Sequence, residues 1–185
     1  MKYLFFILFT ILLISCKEDY TIKPLGQVRL EYPEPKYESL KTDCSFTFEQ
    51  SNQSQIQEKN KPCWFVLNYP KMKANIYITY FPVNSKEDLV NKIKDSEKFV
   101  QEQTTKASYI APQEFVFEEE RVYGTLFELG GDSAINLQFH ATDSTNNFIS
   151  GSVYFSTEPK YDSLQPAIQY LKRDVVRLIE TLRWK

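Results

Sequence analysis

Hydrophobic residues alternate with polar ones along most of the chain, and the pattern changes period in only two places. Cys44–Glu49 sets Phe46 and Phe48 on one side, and Cys63–Tyr69 is a strong apolar run. Ala74–Phe81 alternates again, with Ile76, Ile78 and Tyr80 on one face and Tyr77, Thr79 and Phe81 on the other. Pro70-Lys71-Met72-Lys73 between the last two segments reads as the turn of a hairpin. Farther on, Arg121–Leu129, Ala134–Thr142 and Phe148–Ser156 predict three strands, separated by Gly130-Gly131-Asp132 and by Asp143–Asn147. Ile135, Leu137 and Phe139 point one way and Asn136, Gln138 and His140 the other, which predicts an antiparallel meander with a partly wet face. Weaker signals are a short strand at Gln27–Glu31 and a strand-like Phe115–Phe117. Ser51–Lys61 and Thr104–Pro112 read as a surface loop and a connection.

The period becomes helical after Ser85. Ser85 and Asp88 have the spacing of a capping box, in which a serine oxygen takes a free backbone N–H and the acid answers it. Leu89, Val90, Ile93 and Val100, with Phe99 beside them, then define a helix ending near Gln103. A second helix follows Asp162-Ser163, which read as its cap. Its apolar stripe is Leu164, Ile168, Leu171, Val175, Leu178, Ile179 and Leu182, with Trp184 placed to fasten its end to the sheet. A stripe of this kind in a chain this size covers its own sheet, and a partner-binding helix is the other reading. The expected fold is therefore α+β: an antiparallel β-sheet packed by a mid-chain helix and a long C-terminal helix, in one domain over residues 27–185.

The first sixteen residues carry a different message. Lys2 gives a positive start, Tyr3–Ile14 is apolar except for Thr10, and Ser15 precedes Cys16. This is the layout of a secretory signal peptide, and the apolar run is too short for a bilayer core of about 20 residues. Leu13 and Ser15, at minus three and minus one to the cysteine, fit a bacterial lipobox. Residues 1–15 are then the lipoprotein signal peptide, and Cys16 is the lipidation site, carrying diacylglycerol on its thiol and an acyl chain on its amine. Two or more chains hold a protein stably in a bilayer, whereas one does not. Residues 16–26 read as a tether, and Lys17-Glu18-Asp19 leaves open whether the domain faces the periplasm or the outer surface.

Composition narrows the function. The net charge is −2, and removing residues 1–15 takes one lysine with it, so the mature chain lacks the basic balance of a nucleic-acid binder. Tyrosine and phenylalanine number 12 and 14, and at alternating positions they read as core. The alternative is an aromatic cleft that holds a glycan or a lipid. Two cysteines remain beside Cys16. Outside the cytoplasm Cys44 and Cys63 suggest a disulfide, but if their strands form a simple hairpin the two starts lie roughly 20 Å apart, beyond the ~7 Å that a bridge allows. A bridge and two buried free thiols both stay open. His140 is the only histidine, and it is expected on the wet face. No zinc pattern, no G-x-S-x-G elbow and no phosphate loop is present in the sequence. Glu118-Glu119-Glu120 reads as a solvated acidic run rather than a calcium site. The expectation is a protein with no catalytic residues, no metal and no cofactor beyond its acyl chains.

Several local strings resemble the gliding motility lipoprotein GldD family of Bacteroidota. They are Lys61-Pro62-Cys63-Trp64 with Asn68-Tyr69-Pro70-Lys71, Arg121-Val122-Tyr123-Gly124, Thr142-Asp143-Ser144-Thr145, Gly151–Phe155, and Glu158-Pro159 before Asp162-Ser163-Leu164. The closing Glu180-Thr181-Leu182-Arg183-Trp184-Lys185 belongs with them. Their order, from about Pro24 to the end and behind a lipobox, is what carries the resemblance. It implies a non-enzymatic envelope lipoprotein required for gliding and for the linked type IX protein secretion system, with other envelope proteins of that machinery and the lipid bilayer as partners. It also implies an outer-membrane location. Of the residues, only Cys16 takes a role from it. The order of strands and helices is also similar to a PsbP-like sandwich.

Overall fold

A computed structural model describes residues 32–131, 133–156 and 161–185. Cys16, the tether and the strand expected at Gln27–Glu31 lie outside these residues. The frame is a seven-stranded antiparallel sheet. In chain order its strands are β4 (Gln55–Glu58), β5 (Phe65–Tyr69), β6 (Ala74–Pro82), β7 (Ala107–Phe117), β8 (Val122–Gly131), β9 (Ile135–Thr142) and β10 (Asn147–Phe155). Across the sheet they lie in the order β4-β5-β6-β10-β9-β8-β7. Two small ribbons flank it. β1 (Tyr37–Ser39) pairs with β3 (Glu49–Ser51), and β2 (Phe46–Thr47) pairs with β11 (Arg183–Trp184) near the C-terminus. The helices are α1 (Lys86–Gln101) and α2 (Tyr161–Glu180). The fold is thus the α+β arrangement read from the pattern, with a mid-chain and a C-terminal helix.

The two sheet faces differ in chemistry, and each helix matches its face. Ile76, Ile78, Leu126, Leu137, Phe139, Ile149 and Val153 turn to the α2 side and join Ile168, Leu171, Val175, Leu178, Ile179 and Leu182 in one cluster. Full burial of each such aliphatic side chain contributes about 1.5–3 kcal/mol, so this face carries most of the stability. Phe139 needs room there: its ring lies where a Cβ on Gly151 would stand, 2.3 Å away, so only glycine fits opposite it. Glu128 projects from β8 toward α2 and is held by Lys172 Nζ at 2.7 Å and Gln169 Nε2 at 3.1 Å.

α1 lies on the other face, and a smaller group fixes it: Val83, Leu89 and Phe148, with Phe81 and Ile93 against them. Its start follows the expected cap. Ser85 Oγ accepts from the Asp88 backbone N–H at 3.1 Å, but Asp88 answers on the Asn84 N–H at 2.9 Å, one residue earlier than a standard box. Val90, expected on the apolar stripe, is 39% exposed.

Four expectations need correction. The loop expected over Ser51–Lys61 contains β4, an exposed edge strand whose side chains gave no burial pattern. The connection expected at Thr104–Pro112 is mostly strand, since β7 starts at Ala107. Pro112 sits within this edge strand, where a missing N–H costs no inner ladder bond. Asn136, Gln138 and His140 are buried, because α1 covers them where the alternation predicted water. Asp162 and Ser163 lie in the first turn of α2 and not ahead of it.

Candidate functional site

Cys44 and Cys63 are joined in the structure, with Cα atoms 5.7 Å apart. The hairpin that would hold them apart does not form, because β2 pairs with the C-terminal β11 and β5 pairs with β4 and β6. Cys63 adopts a positive φ of 61° just ahead of β5. Beside the bridge, Trp64 donates from Nε1 to the Tyr80 carbonyl at 3.1 Å, and Lys61 Nζ stands 4.4 Å from the Trp64 ring centre.

His140 lies at the centre of the α1 face, 5% exposed. Its ring lies between Phe127 and Phe148, with centroids 6.1 and 5.7 Å away. Ser96 of α1 faces it, Oγ 3.2 Å from Nδ1. Burial pulls the imidazole pKa down to about 4, so the ring is neutral at pH 7. No carboxylate is hydrogen-bonded to this ring among the described residues, so the histidine and Ser96 form a buried pair and not a triad.

Next to that pair, α1 stands off the sheet and leaves a cleft of about 380 Å³. Phe81, Phe99 and Phe148 form its walls, and Thr79, Gln138, Ser150 and Ser152 its floor. Lys92, Asp95 and Ser96 complete it from the helix. The floor is a fixed network. Gln138 Nε2 donates to Ser150 Oγ at 3.2 Å, Ser152 Oγ donates to Gln138 Oε1, and Thr79 Oγ1 donates to the Ser150 carbonyl at 3.1 Å. The gap exists because this face is built of hydroxyl and amide side chains, on which an amphipathic helix cannot seat itself fully. Alternation placed Thr79 and Phe81 on one face and Asn136, Gln138 and His140 on another, but nothing in the sequence says that α1 would roof them together.

A second buried polar group lies on the opposite side. Asp174 of α2 is 4% exposed and accepts from Tyr37 Oη at 2.7 Å and Tyr69 Oη at 3.0 Å. Burial raises its pKa, against the pull of those two hydroxyls. Tyr37 and Tyr69 are held far above the ordinary tyrosine range, by burial first and by the carboxylate second. The three groups tie β1, β5 and α2 together. In the acidic run, Glu118 accepts from Tyr123 and Glu120 pairs with Arg183 at 3.3 Å. Among the described residues no group of three or more His, Cys, Asp or Glu side chains is placed to hold a metal ion, and no helix is long and apolar enough to cross a membrane.

A search among curated proteins finds no match to this chain. The family model described as gliding motility lipoprotein GldD matches residues 17–184, which is nearly everything after Cys16. The chain belongs to that family of gliding motility lipoproteins.

Proposed function

We propose that this protein is a non-catalytic lipoprotein of the cell envelope that serves gliding and the linked type IX secretion machinery by gripping other envelope proteins. The observation that carries this reading is the family match, which begins at residue 17, directly behind the lipobox cysteine. In this reading Cys16 bears the acyl chains, and the domain stands at the outer membrane facing the periplasm. The catalytic role is left out because the single histidine is a buried neutral ring with a serine for its hydrogen-bond neighbour. Two long side-chain sets suit a fixed scaffold instead: the apolar seam under α2 and the Asp174 network, both of which hold elements distant in sequence.

Deletion of the gene is expected to stop spreading on agar and to abolish secretion of type IX cargo together, with both restored by the intact gene. A deletion strain that spreads and secretes normally would overturn the proposal. Crosslinking in intact cells, followed by identification of captured chains, is expected to return envelope proteins of the same machinery.

A further inference from the structure

We propose that the cleft between α1 and the sheet binds neutral carbohydrate, one or two sugar rings of an oligosaccharide. Its volume of about 380 Å³ lies at the low end of the ~300–1,000 Å³ usual for small-molecule sites, too small for a folded partner segment.

The free hydrogen-bonding capacity of the floor points to hydroxyl-rich ligands. Ser150 Oγ accepts from Gln138 and keeps its own proton to donate. Ser152 Oγ spends its proton on Gln138 and keeps lone pairs to accept. Gln138 is itself buried, and its amide holds the two serine hydroxyls in these orientations. Donor and acceptor therefore alternate on a rigid floor, as adjacent sugar hydroxyls require. Asp95 stands exposed at the rim, and its two carboxylate oxygens suit a pair of neighbouring hydroxyls. Phe81, Phe99 and Phe148 supply apolar walls for the C–H faces of a ring. Just outside, on the same face of β6 and β10, Tyr77 and Tyr154 meet edge to face at 5.5 Å, and Tyr77 is 39% exposed. A longer glycan leaving the cleft would run over these two rings.

Other ligand classes fit less well. A phosphate or another anion meets one cation, Lys92, which is already paired with Asp88 at 2.6 Å, and it meets the Asp95 carboxylate as well. A lipid chain would strip water from Ser150, Ser152, Thr79 and Gln138 and give no hydrogen bond in return. An extended peptide would need an open strand edge, whereas the floor strands β6, β10 and β9 are paired on both sides. Carbohydrate binding is independent of the protein contacts proposed above, and loss of spreading in a deletion strain bears only on those contacts.

The test is titration of the full-length protein, held in a zwitterionic detergent that contains no sugar, with chitobiose, cellobiose, maltotriose and lactose. Calorimetry gives the affinity and backbone amide shifts give the location. At least one sugar is expected to bind, with shifts confined to residues 77–81, 92–99, 136–140 and 148–154. Asp95→Ala lies on an exposed helix position and should leave the fold intact; it is expected to weaken binding about tenfold, the usual scale for losing hydrogen bonds to a charged group. Phe99→Leu is expected to weaken it less, and Val116→Ala, at an exposed site on the far edge strand, not at all. The proposal fails if none of the four sugars binds at millimolar concentration, if the shifts map elsewhere, or if Asp95→Ala and Phe99→Leu both bind as the parent does. It fails equally if phosphatidylglycerol vesicles, and no sugar, perturb the cleft amides.

Discussion

Among single residues, His140 has the clearest measurable consequence. The folded protein holds its imidazole neutral down to a pKa of about 4, while an imidazole in the unfolded chain titrates at its ordinary 6.5. Below pH 6.5 the unfolded chain takes up a proton that the folded one refuses, so stability must fall as pH drops through the window from 6.5 to 4. Near the bottom of that window the loss from this one group is about 2–3 kcal/mol, at 1.36 kcal/mol per pKa unit. Asp174 acts in the opposite direction, since a carboxyl with a raised pKa favours the folded state as pH falls, but it is common to any pair of variants that differ only at position 140. His140→Gln keeps a polar partner for Ser96 and cannot titrate. Urea unfolding of both proteins at pH 7 and pH 4.5 should show the parent losing that much more stability than the variant on acidification. Equal losses would mean that the ring is hydrated in solution. The same residue shows where pattern reading stops. Alternation put His140 on the face opposite Phe139, but burial depended on α1 arriving from some forty residues upstream, and no local period records that.

At the scale of elements, what could be read was whatever buries one face against the core. α2 was legible because its stripe repeats at helical spacing over five turns, and every repeat after the half-buried Leu164 is in the core. β8, β9 and β10 were legible because they are central and alternate cleanly. β4 was not, and of β7 only the end at Phe115–Phe117 was, because they are the two edges of the sheet: all four side chains of β4 are exposed, and only Phe115 of β7 is buried. Edge strands are held by backbone pairing and not by burial, so composition hides them. The Cys44–Cys63 bridge belongs at this scale, because it ties the segment leading into β2 to the start of β5 across 19 residues. Cross-linking a loop of that length is worth about 3 kcal/mol through the entropy of the unfolded chain. Cys44→Ser with Cys63→Ser should lower the urea midpoint accordingly, and hydrogen exchange should quicken first in β2, β3 and β4. Reductant should bring the parent down to the variant and leave the variant unmoved. A parent whose midpoint ignores reductant would argue against the bridge.

For the molecule as a whole, the sheet separates two faces of different chemistry, and the first described residues show on which side the chain joins the fold. Tyr32 packs edge to face on Tyr170 of α2 at 5.4 Å, and Tyr170 Oη donates to the Pro33 carbonyl at 2.9 Å. Tyr37 then reaches Asp174, and Arg177 grips Glu49 through two nitrogens at 2.9 and 2.7 Å. The chain is thus moored along α2, while the α1 cleft opens on the opposite face of the sheet. From Cys16 to Tyr32 the chain reaches at most about 55 Å at ~3.5 Å per residue, so a lipid on Cys16 confines the body to a shell of that depth. If the lipid serves only to hold the body there, its chemistry is replaceable but membrane attachment is not. Cys16→Ala should move the protein to the soluble fraction and stop spreading, although the isolated variant unfolds at the same urea concentration as the parent. Replacing residues 1–16 with an unrelated single-pass membrane anchor from the same envelope should restore spreading. A Cys16→Ala strain that still spreads, with its protein still in the membrane fraction, would show that the body is held by contacts of its own and that the acyl chains are dispensable.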